Sequence, residues 1–205
     1  VVCANGKEGK LVVKEALSRG LDVTAVVRGQ NQSDAKQAIV KDLFALTRDD
    51  LKGFDVVVDA FGAWTADTIG GIPKAVEHLC SLLAGTQTRL LVVGGAGSLY
   101  VNPQHTACVA DGPDFPDAFK PLAAAHDQAL NLLRTRRDVN WTYISPAADF
   151  QAEGVRTGAY RLGGEELTLN SRGESVISYA DYAIALVDEA VSGQHAGQRI
   201  SVVSC

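Results

Sequence analysis

Nothing in this 205-residue sequence is long and apolar enough to cross a bilayer as a helix: no stretch approaches the roughly 18 residues required, and no basic-then-apolar leader precedes the first strand. Runs of one charge are missing too. The 19 basic and 24 acidic residues are interspersed and give a net charge of −5, which argues against nucleic acid or anionic membrane as the main partner. The four cysteines, Cys3, Cys80, Cys108 and Cys205, show no Cys-x-x-Cys spacing and no histidine pairing, so no disulfide framework and no metal site is expected. There is no internal repeat and no low-complexity tract. A cytoplasmic protein with a small-molecule substrate is the class left, and a homodimer is compatible with it.

What is present is enough for a full core. With 46% apolar residues and 20 glycines, the chain is expected to form one α/β domain over residues 1–205, in which residues 151–205 are a small C-terminal strand and helix extension. The organising stretch is Val1 to Gly20. An apolar start, a turn carrying Gly6 and Gly9, and a helix with a stripe of Leu11, Val12, Ala16 and Leu17 before Gly20 read as a strand, loop and helix whose amides face a pyrophosphate. Two residues before the turn are fewer than the usual five or so, so a few more residues are expected upstream of Val1.

Strand and helix then alternate. Leu21 to Val27, Ala38 to Val40, Asp55 to Phe61, Arg89 to Val93 and Trp141 to Ser145 read as strands two to six, apolar in their middles as in a parallel sheet covered on both faces. Ile72, Val76, Leu79 and Leu83 mark one intervening helix, and Leu122, Ala125, Ala129, Leu130 and Leu133 another. Residues 102–121, rich in proline, read as an irregular connection and candidate lid. After Pro146 the short runs at Tyr160, Glu166 and Ser175 suggest small strands joined by tight turns, followed by a helix capped by Ser178 and a last strand at Ile200 to Val203. Right-handed crossovers give a doubly wound parallel sheet, a Rossmann fold of strand order 3-2-1-4-5-6, with its ligand at the carboxyl edge.

At that edge the loop Asn5, Gly6, Lys7, Glu8 and Gly9 is a candidate phosphate cradle, with glycine at the second and third fingerprint positions. Where an NAD-preferring domain presents an acid to the ribose, the second strand ends in Arg28. A guanidinium there suits a 2′-phosphate, so NADP(H) is expected over NAD(H), with Lys7 in support.

Taken with Val57 to Gly62, Leu91 to Leu99, Ile144-Ser145-Pro146 and Ile177 to Ala183, these motifs resemble the NADH-flavin reductase-like branch of the atypical short-chain dehydrogenase/reductases, over nearly the whole chain. The branch is related to NmrA-like redox sensors and to biliverdin reductase B. The resemblance implies an NAD(P)-binding domain in which Asp42 and Leu43 flank the adenine, Phe61 and Gly62 the ribose and pyrophosphate, and Gly94, Gly95 and Ala96 with Pro146 the nicotinamide end. Cys3 departs from the pattern, which has glycine there.

The parent superfamily's tyrosine-lysine pair is absent, since no tyrosine has a lysine four positions on, which makes alcohol oxidation an unfavourable expectation. The helix where the pair would lie carries a lone His126, a residue type more often satisfied than catalytic. Ser98 and Tyr100 are the best-placed hydroxyls to orient a substrate, and Asp149 is a weaker candidate. Hydride transfer mainly requires orientation, and a flavin can take its proton from solvent. The leading expectation is an NAD(P)H-dependent reductase of a flavin-like or other planar conjugated acceptor; the alternative is an NADP(H)-binding redox sensor without turnover, and an epimerase or dehydratase ranks third.

Overall fold

The computed structural model describes all 205 residues. After the opening turn come α1 (Lys7–Ser18), β1 (Thr24–Val27), β2 (Gln37–Val40), β3 (Val56–Asp59), α2 (Gly71–Leu83), β4 (Arg89–Val93) and α3 (Lys120–Thr135). They are followed by β5 (Asn140–Ser145), β6 (Asp149–Gln151), β7 (Tyr160–Gly163), β8 (Val176–Ser178), α4 (Tyr179–Ser192) and β9 (Gln198–Ser204).

The strand that begins the fold is reduced to a single paired residue. Val2 bridges Val26 of β1 on one side and Asp59 of β3 on the other, both in parallel. Its N–H donates to the Val58 carbonyl at 2.8 Å, and the Val26 N–H donates to the Val1 carbonyl at 2.8 Å. Counting this segment, the order across the sheet is β2, β1, Val2, β3, β4, β5, β9, β7. That is the expected doubly wound order, extended by the last strand beside β5 and an antiparallel edge strand.

Alternation along each strand divides the core into two layers. Val57, Leu90, Val92, Trp141 and Tyr143 face α2 and α3, where they meet Val76, Leu79, Leu130 and Leu133. Val58, Leu91, Ile144, Ile200 and Val202 face the other way, against Val12 and Ala16 of α1 and Tyr182, Leu186 and Val187 of α4. Each fully buried leucine here contributes about 1.5–3 kcal/mol by leaving water. The Tyr182 hydroxyl avoids an unpaired burial by donating to the Ile144 carbonyl at 2.6 Å.

Local chemistry sets the helix ends. Gly20, at φ 74°, takes the left-handed position after α1 and lets the Leu21 N–H return to the Ala16 carbonyl at 3.2 Å. Ser178 caps α4 by accepting from the Asp181 N–H at 3.0 Å. The C-terminal extension differs from the expected hairpins: β6 pairs with β8 in parallel and β7 with β9 antiparallel, while the run Glu166 to Leu169 forms no strand. The short runs pair with distant partners because the apolar β9 and the buried Ile177 offer them burial that a local turn would not.

Candidate functional site

The opening turn is built so that α1 starts almost in contact with the strand segment. A Cβ on Gly9 would stand 2.6 Å from the Cys3 carbonyl oxygen and 3.0 Å from the Ala4 Cα, and one on Gly6 would stand 3.2 Å from the same oxygen. Cys3 itself adopts φ 59°, the left-handed conformation for which the fingerprint uses glycine. The turn therefore keeps its shape with a cysteine, at the cost of local strain. Burial, with Asp59 nearby, pushes the Cys3 thiol up to about 12, so it stays protonated.

No side chain caps α1, and the amides of Lys7, Glu8 and Gly9 find no acceptor in the chain. Unpaired donors at a helix N-terminus favour an anion. The Glu8 carboxyl contributes nothing outward: it is buried without a partner, and desolvation raises its pKa well above the ordinary carboxylate value. What it leaves free at the start of α1 is its backbone N–H. The Asn5 side chain is also committed, donating to the Gln30 carbonyl at 2.8 Å and accepting from the Gln32 N–H at 2.7 Å. It ties the turn to the loop after β1. Lys7 reaches Glu153 at 3.3 Å with both side chains largely exposed, a contact worth little in water.

Arg28 stands just past β1, exposed and in no ion pair. Beyond it, Asp42 accepts from the Phe44 N–H at 2.9 Å and caps a short turn over Leu43–Ala45. Leu43 is buried in the core at 4% exposure, so the apolar surface at this place is that of Phe44, edge-on to Phe61 with ring centroids 6.2 Å apart. Asp59 ends β3 underneath: its carboxylate accepts from the Phe61 N–H at 3.0 Å, and burial raises its pKa to about 7. Gly62 follows, with the indole of the exposed Trp64 3.7 Å from where a Cβ would lie. Periodicity could not flag Phe44 or Trp64, because one lies in a single short turn and the other in a loop.

At the end of β4 the wall of the groove is backbone. A Cβ on Gly94 would stand 2.4 Å from the Tyr143 ring, and one on Gly95 would stand 2.9 Å from the His126 ring. The Gly95 N–H donates to the Tyr143 hydroxyl at 3.0 Å, and that hydroxyl lies 3.3 Å from Nδ1 of His126 and 3.2 Å from its carbonyl oxygen. Burial lowers the His126 pKa to about 4, so the imidazole is neutral. Pro146 is buried after β5, next to the unpartnered hydroxyl of Ser145.

Ser98 and Tyr100 leave this edge tied to a different group. The Ser98 hydroxyl accepts from Nη1 of the buried Arg199 at 3.0 Å. Tyr100 stacks on His105 with centroids 4.1 Å apart, and the Arg199 guanidinium lies 5.6 Å from its ring. Arg199 also pairs with Glu165, so these residues lock the loop after β4 to the C-terminal extension. Asp149 accepts from its neighbour Gln151 at 2.7 Å. The irregular segment 102–121 is anchored by Val109 to Leu99 and Ala110 to Gly97 backbone bonds of 2.9 Å each. A cavity of about 350 Å³ lies elsewhere, between α4 and β7; its charged groups are already paired as Arg19–Asp188 and His195–Glu189.

The open amides, the glycines that admit no Cβ and the unpaired Arg28 suit a dinucleotide lying across this edge. Comparison with known proteins agrees. A family model described as NAD(P)H-binding matches residues 3–190. YwnB of Bacillus subtilis (strain 168) is 41% identical over all of this chain and 97% of its own length. The crystal structure of a putative NADH-flavin reductase from Streptococcus pneumoniae TIGR4 shares 55% identity and a TM-score of 0.97, covering 100% of this chain and 97% of the other. That of a putative epimerase from Bacteroides thetaiotaomicron shares 34% and 0.84, covering 99% and 94%. With its sheet, its glycine turn and almost its whole length matched, the chain belongs to the NAD(P)H-binding family of Rossmann-type domains.

Proposed function

We propose that the protein is an NADPH-dependent reductase of a planar conjugated acceptor, such as a flavin. The observation that carries this reading is the wall of backbone at Gly94 and Gly95, together with a sequence in which no tyrosine has a lysine four positions on, the pair that alcohol oxidation uses. In this reading the amides of Lys7, Glu8 and Gly9 hold the pyrophosphate, Arg28 meets the 2′-phosphate, and Phe44 and Phe61 border the adenine. Gly94, Gly95 and Ala96 let a flat ring approach the backbone, and Pro146 closes the opposite side. Bound there, the reduced nicotinamide supplies a hydride. In this reading the chain orients two rings, and the accompanying proton comes from solvent.

The name of the Streptococcus pneumoniae relative, a putative NADH-flavin reductase, supports a flavin as acceptor. Steady-state NADPH oxidation with FMN, FAD and quinones tests the reading. Turnover with at least one of them is expected; tight NADPH binding with no turnover would overturn it and leave a dinucleotide sensor in its place.

A further inference from the structure

We propose that His126 donates a hydrogen bond from Nε2 to a carbonyl oxygen of the acceptor, and that Tyr143 holds its ring in the tautomer that can do so. The inference rests on the reductase reading above and narrows it, because it requires an acceptor whose conjugated ring carries a carbonyl, as flavins and quinones do.

His126 lies in the second turn of α3, packed against the backbone of Gly95 so closely that a Cβ there would stand 2.9 Å from Cγ and 3.0 Å from Cδ2. Its position is thus fixed against the wall that the acceptor must face. Tyr143 comes up from β5 beneath both glycines. A phenol has one hydrogen and two lone pairs. One lone pair takes the Gly95 N–H at 3.0 Å, and the hydrogen points at His126, whose Nδ1 is 3.3 Å away. The His126 carbonyl, at 3.2 Å, is in equal reach and has a second lone pair beside the one α3 uses. A phenol O–H shared with Nδ1 leaves the hydrogen of the neutral ring on Nε2, the tautomer this contact requires.

Nε2 makes no hydrogen bond within the protein and is not among its buried unpartnered atoms, so it keeps some contact with solvent. Desolvation holds the imidazole neutral at physiological pH, which suits it to hydrogen bonding and not to proton donation. A fixed neutral N–H aimed at a carbonyl oxygen stabilises the negative charge that gathers there as the ring accepts a hydride. The acceptor gains two electrons and one hydrogen as the hydride; water delivers the second proton, and the imidazole keeps its own hydrogen throughout. Tyr143 acts through His126 and is a positioning residue.

The test is nitrogen-15 NMR of histidine-labelled protein saturated with NADP⁺, titrated with FMN and with menadione, together with three variants. The Nε2–H tautomer is expected for His126, with the Nε2 signal moving as either probe binds. His126→Phe, which preserves the packing on Gly95, is expected to lower kcat/KM for the acceptor by about 100-fold, with the NADPH Kd changed less than about twofold. His126→Gln, which restores a donor, should recover about tenfold of that loss. Tyr143→Phe should mix the two tautomers in the spectrum and lower kcat with little effect on KM. An Nδ1–H tautomer in the wild type, or a His126→Phe enzyme within twofold of wild type, overturns the proposal while leaving the reductase reading intact. If the wild type turns over no acceptor, the reductase reading fails by itself. The titration then decides for His126: a moving Nε2 signal supports the contact, and an unmoved one overturns it.

Discussion

Replacing Arg28 by alanine is expected to weaken NADPH binding by about 10- to 30-fold and to leave NADH binding within about twofold. The guanidinium is exposed and has no carboxylate partner, so binding a phosphate neither breaks an existing ion pair nor strips much water. Two unit charges 4 Å apart in water attract by about 1 kcal/mol, so a phosphate near two negative charges gains about 2 kcal/mol from Arg28. Charge-assisted hydrogen bonds give the same scale, about 1.5–3 kcal/mol, and the exposed setting selects the lower half of that range. Each 1.4 kcal/mol or so is a factor of ten in Kd. Isothermal titration of NADPH and NADH into both proteins measures it, at low salt and at about 0.5 M salt, where screening should narrow the difference. Equal losses for the two cofactors, or a loss insensitive to salt, would show that Arg28 acts on the loop and not on a 2′-phosphate.

Three further outcomes follow from the same geometry. Gly9→Ala places a Cβ 2.6 Å from the Cys3 carbonyl, and the forced shift should cost about 1–3 kcal/mol, read as a lower Tm, together with loss of dinucleotide binding by titration. Cys3→Gly removes a side chain from φ 59° and should leave stability equal or raised by up to about 1 kcal/mol, whereas Cys3→Val, β-branched at the same φ, should lower it; urea unfolding separates the two. Asp59 is protonated in the fold up to about pH 7 but ionises near pH 4 when unfolded. The unfolded chain then binds fewer protons across that window, so this group's contribution falls as pH rises from about 4 to 7, by about 4 kcal/mol at most. Asp59→Asn, which keeps the acceptor for the Phe61 N–H, should be more stable than the wild type at pH 8 and equal to it near pH 4. A difference that does not vary with pH would show that Asp59 is ionised in the fold.

The sheet was legible because each of its strands repeats one physical rule. Val56 to Asp59 and Arg89 to Val93 are apolar on both faces, as burial under two helical layers demands, and a right-handed crossover leaves little freedom in their order. The places of Gly6, Gly9 and Arg28 in the fold were legible for the same reason, since a close helix and a strand end fix where they must be. The C-terminal pairing was not, because β7 pairs with β9 across some 40 residues and nothing local in Tyr160 to Gly163 specifies that partner. His126 and Tyr143 were hidden differently. On the sequence His126 is one polar residue on an amphipathic helix and Tyr143 one aromatic in a strand; their meaning appears when Gly94 and Gly95 bring the backbone down onto both rings. Leu43 shows the converse, a position matched to adenine whose side chain the fold uses for its core, leaving Phe44 at the surface.

In the proposed function this edge binds NADPH and passes its hydride to a conjugated acceptor. Single-turnover mixing tests it most directly: protein saturated with one equivalent of NADPH is mixed with FMN or menadione, and cofactor absorbance is followed against the protein-free reaction. Oxidation of the bound NADPH with one equivalent of acceptor reduced, far faster than without protein, is expected. Bound NADPH that is oxidised no faster than free NADPH by either acceptor would contradict it.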